Sequence, residues 1–153
     1  MSRIYTNFER PYGQELILDL EKCKSSLFNR KSINFYFEEL CKLIEMKKCA
    51  VHFWDDVGVK ESEKQTDPDK KGTSAVCFIL TSSIVLHTLD IRKEVYLNIF
   101  SCKEFDYVKA ARFTQEFFCG IITNHEDIYR GVRRINEKEE NERKRDEKES
   151  SNL

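Results

Sequence analysis

Apolar residues recur along this chain with two periods. ELILDL (15–20) alternates and opens the chain as a strand. After a polar run at 22–31, Ser32 is a helix N-cap candidate. Ile33, Tyr36, Phe37, Leu40, Leu43 and Ile44 follow at steps of three or four, which predicts a helix over 33–47. CAVHFW (49–54) alternates again and is aromatic, a second strand. Residues 55–72 are polar, contain Gly58, Pro68 and Gly72, and have no period, so they read as a long loop. SAVCFIL (74–80), SIVLHTLD (83–90) and EVYLNIF (94–100) are three further strands, the last two joined by a tight charged turn. DYVKAARFTQEFF (106–118) predicts a second amphipathic helix with Val108, Ala111, Phe113, Phe117 and Phe118 on its apolar stripe. A short edge strand over 120–124 follows.

The order β-α-β, long loop, β-β-β, α, β predicts an α+β fold. Its form is a two-layer α/β sandwich, mainly antiparallel, with both helices on one face of the sheet. The folded domain is expected over 1–131. Beyond it, 132–153 form a charged tail of mixed sign, read as disordered or as a solvated helix.

Charge and cysteines narrow the chemistry. Charged residues make up 35% of the 153, yet the net charge is −1, so there is no basic footprint for nucleic acid. No apolar run approaches a membrane span, and MSRIYTNFERPYGQ lacks a signal peptide's apolar region, so a cytoplasmic protein is expected. The six cysteines contain no C-x-x-C pair, which argues for reduced thiols and no zinc. Cys41 and Cys77 sit in apolar patterns and are expected in the core. His52, Asp55 and Asp56 have no further ligands at useful spacing, so no metal is expected; Asp55, Asp56 and Glu61 read as solvated loop charges.

Four segments, in order, resemble the small prokaryotic pyruvoyl-dependent S-adenosylmethionine decarboxylases, this chain being a divergent member. YGQELILDLEKC (12–23) is similar to the family's opening strand. GTSAVCFILTSSIVLHT (72–88) is similar to its central segment: glycine-x-serine, an apolar strand, a processing serine, then histidine-threonine. NIFSC (98–102) is similar to its strand ending in Ser/Thr-Cys. The spacings of five from serine to histidine and fifteen from histidine to cysteine are both kept.

The resemblance puts Ser82 at the serine that becomes pyruvoyl, His87 at the processing histidine, Cys102 at the catalytic acid and Ser74 at a second hydrogen-bonding serine. It implies that Ser82 Oγ attacks the Thr81 carbonyl carbon, that His87 helps remove the Cα proton, and that elimination cuts the chain. The pyruvoyl ketone then serves as an electron sink for decarboxylation, and Cys102 returns a proton. Ser82, His87 and Cys102, on neighbouring strands, are expected to converge. Phe53 and Trp54 are candidates to stack on adenine or the sulfonium, and Asp90 to contact the ligand. The family precedent further implies a homo-oligomer acting in polyamine synthesis.

The chain also departs from the family. Thr81 stands where a glutamate is common, and LDIRKE replaces an aromatic-proline-glutamate turn, with Asp90 one residue early. Two other readings therefore stand beside the decarboxylase. One is a cofactor-free lyase on S-adenosylmethionine or a conjugate, releasing methylthioadenosine, since a sulfonium leaves readily once a base is positioned. The other is a non-catalytic ligand-binding protein. Apart from the resemblance, Ser82 and Ser83 are ordinary turn residues and His87 a core histidine.

Overall fold

The computed structural model describes residues 11–132, together with Arg145 and Lys148. Residues 1–10 and most of the charged tail lie outside that range, so neither the N-terminal reading nor the tail reading is addressed by it.

Six strands form one sheet: β1 (Gly13–Glu21), β2 (Lys48–Trp54), β3 (Ser74–Ile79), β4 (Ser82–Leu89), β5 (Glu94–Ser101) and β6 (Ile121–Arg130). Their spatial order is β2-β3-β4-β5-β1-β6, and every neighbouring pair is antiparallel. Two helices, α1 (Arg30–Leu43) and α2 (Tyr107–Phe118), cover one face. This is the expected two-layer α+β sandwich. Among the described residues no helix is long and apolar enough to cross a membrane.

Strand alternation makes the core. Leu16, Leu18 and Leu20 of β1, Ala75, Cys77 and Ile79 of β3, Ile84 and Leu86 of β4, and Val95, Leu97 and Ile99 of β5 all turn under the helices and are buried. Ile33, Tyr36, Phe37, Leu40 and Cys41 of α1 meet them from above. The helices lock through an aromatic cluster. Tyr36 stacks on Phe113 with centroids 5.7 Å apart and also meets Phe117 and Phe118. Tyr36 is fully buried and its hydroxyl lies 2.8 Å from Thr114 Oγ1. Thr114 spends its own proton on the Ala110 carbonyl at 2.7 Å, so Tyr36 is the donor.

Four expectations change in detail. Helix α1 begins three residues before Ile33, because Asn29 caps it by accepting from the Ser32 amide; Ser32 lies inside the first turn. It ends at Leu43, where Glu45 takes a left-handed φ of 55°. On α2 the buried stripe is Ala110, Ala111, Thr114 and Phe118, while Val108 is exposed, since the helix leans its small residues against the sheet. The last strand runs on to Arg130, because β1 is long enough to pair with it along its whole length.

Replacing Thr114 with valine keeps the shape but leaves the buried Tyr36 hydroxyl without an acceptor. The expected loss of stability is about 1–3 kcal/mol, read by urea denaturation.

Candidate functional site

Ser82 opens β4 immediately after the two-residue loop Leu80–Thr81, with Ile79 and Ser82 paired across the turn. Thr81 has φ 59°, a left-handed conformation that a β-branched side chain resists. The hairpin thus forces an unfavourable backbone at the residue whose carbonyl Ser82 would attack. Ser82 is buried on the helix face, and its Oγ accepts the Cys102 amide at 3.1 Å. Cys102, just past the end of β5, is exposed, and its Sγ is 3.4 Å from Thr81 Oγ1. The Thr81 and Ser82 hydroxyls together hold the Cys102 thiol below its ordinary pKa. Because β5 lies between β4 and β1, this thiol sits at the end of a central strand, not at a sheet edge.

His87 is elsewhere. It stands five residues along β4, about 17 Å at the usual strand rise, and the odd step turns it to the uncovered face. Its Nδ1 is 2.8 Å from Ser74 Oγ. The expectation that Ser82, His87 and Cys102 meet within one chain is therefore not met. Ser82, Thr81 and Cys102 form one cluster, and Ser74 and His87 another at the opposite end of the sheet, with Ser82 and His87 on opposite faces.

The second cluster belongs to a row. Trp54, Ser74, His87, Tyr96 and Asp19 are successive cross-strand partners over five strands. Trp54 is 82% exposed. Trp54, Ser74, His87 and Tyr96 line a cavity of about 370 Å³. Phe53 does not join them: it turns to the helix face, packs against the core and lies under the Arg30 guanidinium, 5.8 Å from the ring centroid.

Asp90 borders a larger neighbouring cavity of about 580 Å³, with Asn29, Arg30, Asp55, Asp56 and Lys71. Its Oδ1 is buried with no partner among the described residues. Burial raises its pKa, offset in part by Lys71. Asp55 is not a solvated charge. Its side chain is 7% exposed and takes two bonds from Arg30, at 2.7 and 2.8 Å, which keep its pKa below the usual carboxylate range. No group of three or more possible metal ligands occurs among the described residues.

Sequence reasoning missed Tyr96 and the Arg30–Asp55 pair. Tyr96 had a usable signal: counting outward from the 90–93 connection pairs Leu89 with Glu94 and therefore His87 with Tyr96. The ion pair spans 25 residues and leaves no local pattern.

The Asp90 result has a sign that can be tested. Its pKa is raised by folding, so the native state loses stability as pH rises through the unfolded and then the folded value. Asp90→Asn is expected to raise the melting temperature at pH 7, with the gap closing toward pH 4. Thermal unfolding across that range checks it.

No curated protein matches this chain. It is similar in fold to the crystal structure of the adenosylmethionine decarboxylase from Aquifex aeolicus VF5, with a TM-score of 0.63 and 16% identity, covering 84% of this chain and 97% of that one. The family described as S-adenosylmethionine decarboxylase matches residues 14–131, which hold both clusters and all six strands but for the first residue of β1. The chain belongs to the S-adenosylmethionine decarboxylase family.

Proposed function

We propose that this protein is a self-processing, pyruvoyl-dependent S-adenosylmethionine decarboxylase that supplies decarboxylated S-adenosylmethionine for polyamine synthesis, and that its site is completed by a second copy of the chain. The observation that carries the reading is the cluster of Ser82 Oγ, the Cys102 amide and thiol, and Thr81 around one strained turn.

The residues fit the group they would have to make. Ser82 Oγ is pinned by an amide beside the bond it would attack. Attack on the Thr81 carbonyl carbon replaces the Thr81–Ser82 amide with an ester, and a left-handed β-branched residue holds of order 1–3 kcal/mol of strain that cleavage would release. Loss of the residue 82 Cα proton and elimination leave a carboxylate on Thr81 and dehydroalanine at residue 82, whose imine tautomer takes up water and releases ammonia to give pyruvoyl. The pyruvoyl supplies the electron sink for loss of carbon dioxide. Cys102, at the same turn, holds the proton that the product carbon needs.

Ser74 and His87 lie too far from Ser82 in one chain to take part in its cleavage. A homo-oligomer in which sheets face one another would bring the imidazole of one copy to the turn of the other. The uncovered face supports this: Phe78 and Tyr96 are 49% and 39% exposed there, alongside half-buried Ile17, Val76, Val85 and Phe100. Trp54 and Tyr96, flanking the Ser74–His87 pair, offer aromatic faces to an adenine or a sulfonium. Asp90, next to this row, is a candidate for the ligand's hydroxyls or amine. No observation favours the cofactor-free lyase.

Intact mass of the purified chain is expected to give two fragments, 1–81 and 82–153, the second beginning with pyruvoyl. A single uncut mass would sink the reading. Sharing of the site predicts complementation. Ser82→Ala and His87→Ala chains are each expected to stay uncut alone. Produced together, they should yield cut His87→Ala chains, because each of those retains Ser82 and borrows an imidazole. Absence of cut chains from the mixture would confine processing to one copy.

A further inference from the structure

Thr81 does more at this turn than carry the carbonyl to be attacked. Its hydroxyl lies 2.6 Å from the Leu80 carbonyl oxygen and 3.4 Å from Cys102 Sγ. A hydroxyl has one proton to give and two lone pairs to offer. With its proton on the Leu80 carbonyl, the hydroxyl receives the thiol's proton as acceptor. When the thiol ionises, rotation about the Thr81 C–O bond moves that one hydrogen onto the sulfur, with no movement of heavy atoms. We infer that in the uncut chain Thr81 is a positioning residue for Cys102, its hydroxyl accepting from the thiol and donating to the thiolate, so that both protonation states of the sulfur keep a partner at the same place.

The role of Cys102 as donor rests on the decarboxylase reading above; the hold of Thr81 on its ionisation does not. The family's common glutamate at this position would be acceptor-only at neutral pH and would repel a thiolate. A threonine serves both states of the thiol, so the departure from the family changes the surroundings of Cys102 in the uncut chain.

Among the described residues no charged side chain contributes to the thiol's ionisation: the Thr81 and Ser82 hydroxyls lower its pKa, slight burial raises it, and its own amide lowers it. Next in the chain, Lys103 reaches to the Glu45 carbonyl at 3.3 Å. On β1 and β6, Glu15 and Arg130 are bound to each other, and Arg130 lies over Phe100.

The test uses a chain that cannot cut itself, Ser82→Ala, so that Thr81 stays in place. The rate of iodoacetamide alkylation is followed against pH on the peptide containing Cys102, which separates it from the exposed Cys49 and Cys119. Adding Thr81→Val keeps the β-branch and the backbone constraint but removes the hydroxyl. Its midpoint is expected to move up by about one pH unit, the size of one hydrogen bond to a charged group. Adding Thr81→Ser instead is expected to return it to the parent value, which a purely structural role would not do. Near-ultraviolet circular dichroism establishes that each variant is folded, and Thr81→Ala serves if the valine form is not. Coincident profiles for the parent and hydroxyl-free chains overturn the inference and leave the decarboxylase reading intact. An uncut wild-type chain sinks that reading while leaving the thiol shift to stand or fall alone.

Discussion

A β-strand turns successive side chains to opposite faces and advances about 3.3 Å at each step. β4 carries a serine and a histidine five steps apart, so neither rotamer choice nor local bending brings them together. Everything else about the site follows from that parity. Ser82 points into the helix-covered layer, where its hydroxyl is fixed by the Cys102 amide. His87 points out of the uncovered layer, where it meets Ser74 and Tyr96. An uncovered sheet face with half-buried aliphatic and aromatic side chains is unfinished in a single chain. Under the proposed function, one second copy would both cover that face and bring His87 to the turn.

The turn at Leu80–Thr81 supplies the second ingredient. Two-residue hairpins suit Gly, Asn or Asp at left-handed positions, and here a threonine occupies one. The cost is tolerated because register on both sides is fixed by six residue pairs between β3 and β4. The same register sets the Ser82 hydroxyl next to the strained residue, and the pairing of β4 with β5 brings the end of β5 alongside. The strained turn and the thiol beside it therefore depend on two strand pairings, and a slip of one residue in β4 would turn its side chains to the wrong face.

Much of this architecture was legible in the sequence. The strand-length segments ELILDL and SAVCFIL, the alternation in EVYLNIF and the three-four spacing from Ile33 to Leu43 give elements within a few residues of those observed. The helix boundary at Asn29 was missed because two residues with capping side chains stand three apart and only the φ angle chooses between them. The length of β6 was missed because its residues, IITNHEDIYR, are mostly exposed at an edge and carry little alternation. At the site, Ser82 and Cys102 were identified together and are close; His87 was placed with them on proximity of strands, although its odd spacing already excluded a shared face. Tyr96 was missed although hairpin register could have given it, whereas Arg30–Asp55 depends on how a loop folds back over a helix start.

That last pair bears on how the outer half of the site is shaped. Arg30 is half-exposed, so its bond to Asp55 adds little to global stability. Its effect is positional. Asp55 is the first residue beyond β2, and fixing it to the start of α1 fixes where Trp54 leaves the sheet. Asp55 also takes the Val57 amide at 3.0 Å, so the first turn of the 55–72 loop is built on the same carboxylate. The loop returns at Gly72, where a Cβ would stand 1.6 Å from the Thr88 carbonyl oxygen, so only glycine permits the close crossing of β4 that precedes Ser74. Trp54 and Ser74, neighbours in the row around His87, are thus each set by an anchor one or two residues away. Between these anchors Asp90 is held with its Oδ1 buried and unpartnered among the described residues, and burial raises its pKa, so the fold that sets Trp54 and Ser74 carries a local stability cost at their side.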